Sequence, residues 1–158
     1  MENTMVKMVL DAWHSTVKRA DALIDQLTDD QLSMAVAPGR NSGKYLLGHL
    51  AVAHDHMRTL FNLGEALHPS MLEAFIRNPD GPAVDAFAVS ELRNAWKTVN
   101  TDLANGFSTM TAGDWFLKHN SVSAEDFEKE PHRNRLNVLI SRTNHLSYHL
   151  GQMVFLKG

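Results

Sequence analysis

Two histidines near the end of the chain, His145 and His149, are the residues best suited to chemistry. They are four positions apart, so in a helix they lie one turn apart on the same face. Imidazole is the commonest protein ligand for a divalent metal, and such a pair can present two nitrogens to one ion. A third ligand must come from another segment. His49, within an apolar helical segment, is the best candidate, so the three histidines predict one metal site.

Other histidines provide the alternative interpretation, because the chain has nine of them and a pair can arise by chance. His54 and His56 are two positions apart and do not face each other on a helix. Helical geometry places His54 and Asp55 away from the apolar stripe of their helix. It places His56 near the edge of that stripe, as a spare ligand or a neighbour of the ligands. Four more are predicted on the surface or in loops: His14, His68, His119 and His132.

The candidate ligands lie in segments that are predicted to be helices. Apolar residues recur at helical spacing in four long segments, predicted as Met5–Leu27, Lys44–Leu63, Ala88–Phe107 and Asn134–Leu156. Because no segment alternates with period two for long, the pattern predicts one all-α bundle over residues 1–158. Asn105-Gly106 is predicted to end the third helix. One or two helical turns are predicted around Met71–Ile76, and two short strands between Trp115 and Val122 stay an alternative.

The last helix is predicted to bury a stripe centred near Leu150 and including Ile140 and Val154. On that stripe's geometry His149 lies about 100° and His145 about 140° from the centre. Both histidines would then face a neighbouring helix or an open cleft, where bundles usually build metal sites.

Composition excludes several function classes. The net charge of −3 argues against nucleic acid as a partner, because phosphate binding usually requires a basic excess. Cysteine is absent, so the chain has no disulfide, no thiolate metal ligand and no catalytic thiol of its own. We find neither a signal peptide nor an apolar run long enough to span a membrane, which predicts a cytoplasmic protein without a membrane partner.

The arrangement of the histidines resembles a known family. Gly48-His49-Leu50 on the second helix, with His145, His149, Gly151 and Gln152 on the last, is similar to the DinB-like (YfiT-like) superfamily. That resemblance implies a four-helix bundle in up-down-down-up order. It implies a nickel, zinc or iron ion bound by His49, His145 and His149, and homodimers. Gly151 is then expected in a close helix contact, and Gln152 as a hydrogen-bond partner of the ligands.

The resemblance leaves the reaction open. Members include S-transferases that use bacillithiol or mycothiol, a mycothiol-dependent isomerase and proteins regarded as hydrolases. We therefore expect a metal-dependent enzyme that acts on a small molecule, either by transferring a low-molecular-weight thiol or by hydrolysis. The alternative is a non-catalytic, metal-stabilised bundle that serves as a binding module.

A few residues beyond the ligands are candidates for further roles. The last helix carries no carboxylate near His145, so a general base would have to come from His56, Asp126 or Glu130. A basic group at the start of the last helix could attract an anionic substrate to the mouth of the cleft: His132, Arg133 and Arg135.

Overall fold

The computed structural model describes residues 1–158 and contains helices but no β-strand. Eight α-helices follow one another: α1 (Glu2–Gln26), α2 (Asp29–Ser33), α3 (Gly43–Leu60), α4 (Pro82–Asp85), α5 (Val89–Thr109), α6 (Ala112–Trp115), α7 (Ala124–Lys129) and α8 (Arg135–Met153). Helix α3 packs against α5 and α8, and α1 packs against α8 and α5. The predicted all-α bundle is confirmed, whereas the up-down-down-up order stays a prediction. None of the helices combines the length and apolar character needed to cross a membrane.

A single cluster of 34 buried apolar residues joins the four long helices. Its largest members are Trp13 on α1, Trp96 on α5 and Trp115 on α6, each at most 2% exposed. Burial of such side chains is the main favourable term in folding, at roughly 25 cal/mol per Å² of apolar surface. This core fixes α3 and α8 side by side, and these two helices carry the histidines of interest.

The start of α3 is fixed by hydrogen bonds from outside the helix. The Ser42 hydroxyl accepts from the Tyr45 backbone N–H at 3.0 Å, which caps the first turn. The Asp80 carboxylate accepts from the Ser42 backbone N–H at 2.5 Å, and this contact ties the long connection after α3 back to its beginning. Together these contacts set where His49, in the second turn, enters the bundle.

Several predicted boundaries need correction. Asn105-Gly106 does not end the third long helix, because α5 continues to Thr109. Glycine costs only about 1 kcal/mol inside a helix, and packing of α5 against α3 outweighs that cost. The alternative strands between Trp115 and Val122 do not form, and the segment contributes only an isolated bridge from Lys118 to Asn134. The turns predicted around Met71–Ile76 are present as a 3₁₀ turn and a π-helical turn: Pro69–Met71 and Glu73–Arg77.

The second long helix is buried on more sides than its sequence predicts. His54 and Asp55 were predicted to point away from the core, yet they are 0% and 2% exposed. The apolar stripe indicates a helix covered on one face, but α3 contacts α5, α8 and both turns of the following connection. Polar residues outside the stripe are thereby enclosed, and each must find hydrogen-bond partners.

The buried face of α8 is also rotated from its predicted position. Ile140 is 40% and Val154 is 50% exposed, so the stripe is not centred near Leu150. The fully buried residues are Leu139, Leu146 and Met153, at a spacing of seven. Measured from Leu146, His149 lies about 60° and His145 about 100° away, both on the same side. That rotation turns both rings toward α3.

The two glycines of the family pattern have opposite surroundings. A side chain at Gly151 would meet nothing within 4 Å, so the expectation that it marks a close helix contact is wrong. At Gly48, by contrast, a Cβ atom would overlap the ring of Phe75. Glycine at this position lets the π-helical turn Glu73–Arg77 approach α3 directly beside His49.

Candidate metal centre

Three imidazole nitrogens from two helices converge at one point. His49 Nε2 on α3 lies 2.9 Å from His145 Nε2 on α8. His149 Nε2, one turn further along α8, lies 3.0 Å from the same His145 nitrogen. These ligand atoms lie within 4.8 Å of one another, and all three side chains are half-buried. The structure therefore brings together the three residues named from the sequence.

The spacing of the nitrogens suits a small ion. A tetrahedral site with metal–nitrogen bonds of about 2.0–2.1 Å holds its nitrogens about 3.3 Å apart. The observed separations of 2.9 and 3.0 Å are within a few tenths of an ångström of that value. Small rotations of the rings are enough to seat an ion. An all-imidazole donor set suits zinc, copper, iron and nickel.

The outer nitrogen of His49 is held by the π-helical turn. Its Nδ1 lies 2.8 Å from the carbonyl oxygen of Phe75. A carbonyl can only accept, so Nδ1 carries the proton and the lone pair of Nε2 is directed at the other histidines. The ring of Tyr45 stacks on that of His49, with centroids 5.8 Å apart, and further limits its rotation.

Gln152 performs the same role for His149. Its Oε1 accepts from His149 Nδ1 at 2.7 Å, which again leaves Nε2 free to face inward. The hydrogen bond expected of Gln152 is therefore present. Partners of this kind orient metal-binding histidines and fix their tautomer. His145 differs, because its buried Nδ1 has no hydrogen-bond partner.

Burial keeps the α8 histidines uncharged at neutral pH. It lowers the pKa of His145 to about 3, with smaller contributions from the neighbouring His149 and His49 rings. Burial also lowers the pKa of His149, against the opposing effect of its hydrogen bond to Gln152. A neutral imidazole is the form that binds metal, so neither of these two rings has to lose a proton near pH 7.

A cavity of about 470 Å³ opens beside this cluster. His49 and His145 form part of its wall, together with Arg142, one turn before His145 on α8. Much of the remaining wall is apolar: Val52, Ala53, Ala66, Pro69, Leu72 and Ile76. A space of this size accommodates a small organic molecule.

The loop over the cavity is fastened by a buried carboxylate. Asp55 Oδ1 accepts from the Leu67 N–H at 2.9 Å, and Oδ2 accepts from the His68 N–H at 2.8 Å. Arg58 approaches the same carboxylate at 4.0 Å and also pairs with Asp102. Both oxygens of Asp55 are thus engaged in holding the loop, which leaves the carboxylate a structural role.

Of the three candidates for a general base, one reaches the cavity. His56 lines it, as does His68, which was predicted as a surface or loop residue. Asp126 and Glu130 are exposed at or just after α7 and do not line it, and Glu130 pairs with Arg133 at 3.2 Å. The predicted basic group, His132, Arg133 and Arg135, is also absent from the lining.

The cation that does reach the cavity is Arg142, which sequence reasoning missed. The signal was available, because residues three positions apart on a helix are neighbours and Arg142 precedes His145 by three. The Phe75 carbonyl was also missed, and nothing in the sequence pairs it with His49, 26 positions away.

Comparison with known families decides the relationship of this chain. The DinB superfamily model matches residues 12–153, a span that includes all three histidines. The chain belongs to the DinB superfamily. A search of curated proteins finds no match. The histidine cluster thus lies within the matched region of a DinB superfamily protein, and its particular reaction has to be argued from the geometry of the site.

Proposed function

We propose that this protein binds one divalent metal ion through His49, His145 and His149, and that it is a metal-dependent enzyme acting on a small molecule. The observation that carries the proposal is the convergence of three Nε2 atoms at separations of 2.9 and 3.0 Å. The adjacent cavity supports an enzymatic role, since a closed structural site would not need one.

The residues around the three histidines hold the rings in orientations that suit metal binding and leave the side toward the cavity accessible. Phe75 and Gln152 hold the outer nitrogens of His49 and His149, so two of the three ligands are oriented in advance. When bound, a divalent ion supplies Lewis acidity, which lowers the pKa of a thiol or water that reaches it. His49 and His145 border the cavity, so a substrate there would lie directly beside the ligands.

Between the two reactions expected of such a site, we favour transfer of a low-molecular-weight thiol. The chain has no cysteine, so the thiol has to be a co-substrate. Hydrolysis generally needs a general base near the attacking water. The one carboxylate in the cavity wall is Asp55, whose oxygens are occupied by backbone N–H groups. Hydrolysis would therefore depend on an imidazole such as that of His56, whose pKa is lowered by burial and by the charge of Arg142, whereas transfer of a thiol ionised by the metal would not.

We also propose a homodimer. Large apolar side chains are exposed on α8 and on the 3₁₀ turn that follows it: Ile140, Tyr148, Val154 and Phe155. A second copy of the chain would cover these side chains, as partners cover exposed apolar surface at protein interfaces. Light scattering on purified protein measures the mass directly, and a monomer at all concentrations would contradict the dimer.

The catalytic proposal is tested with the variant His145→Ala. Wild type and variant are loaded with zinc, nickel or iron and assayed with a panel of low-molecular-weight thiols and an electrophilic acceptor. We expect turnover in the wild type and a loss of at least about a hundredfold in the variant, because the central ligand is gone. His14→Ala, on the exposed face of α1, is the matched control and should retain activity.

Two results would redirect the proposal. Equal turnover in wild type and His145→Ala would contradict a catalytic metal. Metal binding that raises the melting temperature strongly, without turnover on any substrate, would favour the non-catalytic bundle, because an ion that binds only the folded state stabilises it.

A further inference from the structure

Arg142 is a partly buried cation without a counter-charge. None of the ion pairs in the protein involves it. Its Nε atom is buried and has no hydrogen-bond partner. Burial lowers its pKa, and no neighbouring carboxylate acts in the opposite direction. An arginine stays charged in proteins, so a guanidinium left in this state is a binding site for an anion.

The other residues of the cavity do not neutralise this charge. Asp55 is the one carboxylate in the wall, and it is 2% exposed with both oxygens accepting from backbone N–H groups. Arg142 is the one lysine or arginine there. Its charge also contributes to the lowered pKa values of buried His54 and of His56, which shares the cavity wall. The wall of the cavity therefore carries one cation without a counter-charge, and it combines apolar residues with polar ones such as Thr59, His56 and His68.

The geometry and the charge of the Arg142 guanidinium indicate which anion fits. A guanidinium presents a planar fork of N–H donors that matches the two oxygens of a carboxylate. One fixed cation balances one negative charge, as on a carboxylate, and would leave a phosphate dianion half-compensated. Apolar residues such as Val52, Leu72 and Ile76 form another part of the wall. They favour an organic body attached to the anion, within about 470 Å³.

We propose that the cavity binds a small organic carboxylate, whose anionic group pairs with Arg142 and whose body lies against the apolar wall. His49 and His145 border the same space, so the far end of the molecule would be presented to the histidine cluster. This last step rests on the proposed function, because it assigns the carboxylate as the substrate class of that site. The pairing with Arg142 itself does not require a metal.

The test is calorimetric titration of the full-length protein with three probes: benzoate, its neutral analogue benzamide, and phenyl phosphate. Each titration is run on chelator-treated and on zinc-loaded protein. In the chelator-treated wild type we expect benzoate to bind at least tenfold more tightly than benzamide, because a charge-assisted pair is the stronger contact. We expect Arg142→Gln to weaken benzoate binding at least tenfold and to leave benzamide unchanged.

Two further variants keep the result interpretable. Arg142→Lys retains the charge but not the fork, so it should bind benzoate with intermediate affinity. Arg133→Gln removes a cation that lies outside the cavity and pairs with Glu130, and should bind benzoate like the wild type. Melting temperatures of all variants show that each is folded before it is titrated.

The inference is overturned if benzoate does not bind, if benzamide binds equally well, or if Arg142→Gln binds benzoate like the wild type. Tighter binding of phenyl phosphate than of benzoate would overturn the assignment of a carboxylate. Failure of the metal proposal is recognised separately. Zinc would then not bind at all, while the dependence of benzoate binding on Arg142 in chelator-treated protein would persist.

Discussion

His49 and His54 lie five positions apart on α3 and have opposite surroundings. His54 is fully buried against α5, where its Nδ1 donates to Asn100 Oδ1 at 2.7 Å. Asn100 in turn donates to the carbonyl of Trp96 at 2.8 Å, which fixes the orientation of its amide. His49 is half-buried, and its inner nitrogen faces two other histidines.

The two rings show what separates a structural histidine from a candidate ligand on the same helix. Both have one nitrogen held by a neighbour, so orientation does not distinguish them. The second nitrogen distinguishes them. His54 Nε2 is buried without a partner, whereas His49 Nε2 lies next to His145 Nε2 beside an open cavity. The following predictions test that distinction.

The largest effect is expected from comparing His49→Ala with His54→Ala, since one should lose metal affinity and the other should lose stability. His49→Ala should weaken metal binding by at least about a hundredfold, because a ligand is lost. His54→Ala should leave metal binding intact and lower the free energy of unfolding by about 2–4 kcal/mol, through a core cavity and an unpaired Asn100. Zinc titrations and urea unfolding measure the two quantities. If both variants lost metal equally, the distinction between the rings would be wrong.

Lowering the pH should reduce the free energy of unfolding through protonation of His54. Burial lowers its pKa to about 4, whereas a histidine in an unfolded chain titrates near 6.5. Between these values the unfolded chain binds more protons. The contribution of neutral His54 is therefore present above about pH 6.5 and is lost as the pH falls toward 4, by about 3 kcal/mol.

This pH effect is measured by urea unfolding of metal-free protein near neutral pH and near pH 4.5. His145 also has a lowered pKa, so the informative quantity is the difference between wild type and His54→Gln. We expect the variant to lose less stability on acidification. His14→Gln, on an exposed side chain, should behave like the wild type. An unchanged pH dependence in His54→Gln would contradict the assignment.

Gly48→Ala should disturb the contact between His49 and Phe75. A Cβ at this position overlaps the Phe75 ring, so we expect a loss of about 1–3 kcal/mol in the free energy of unfolding. Displacement of Phe75 also moves the carbonyl that holds His49, and metal affinity should fall about tenfold. Gly151→Ala is the matched control: nothing lies within 4 Å, and it should stabilise α8 by up to about 1 kcal/mol. Equal effects of the two substitutions would refute the account of Gly48.

The smallest effect is expected from Gln152→Ala. Loss of the acceptor for His149 Nδ1 should weaken metal binding about tenfold with little change in stability. Gln26→Ala, which removes an exposed glutamine bonded to Lys157, should have no effect on metal binding. Zinc titration compares the two, and an unchanged affinity in Gln152→Ala would show that His149 does not need this partner.

The sequence predicts the fold and the histidine cluster well because both depend on local periodicity. Spacing alone places His145 and His149 on one face, and the apolar stripe of α3 brings His49 into the bundle. The same periodicity does not predict the burial of His54 and Asp55. An apolar stripe indicates one covered face, whereas α3 is covered on several. The centre of the α8 stripe was likewise misplaced, since Ile140 and Val154 are apolar but exposed. The contact of His49 with Phe75 depends on the path of the connection after α3, which helical periodicity does not predict.

The proposed metal site requires nitrogens from α3 and α8 to bind one cation together. Its most direct test is elemental analysis of protein purified without a histidine tag, followed by anomalous diffraction from crystals grown with excess zinc. We expect one ion per chain, within bonding distance of Nε2 of His49, His145 and His149. Crystals in which the three rings point apart, or in which zinc binds elsewhere, would contradict it.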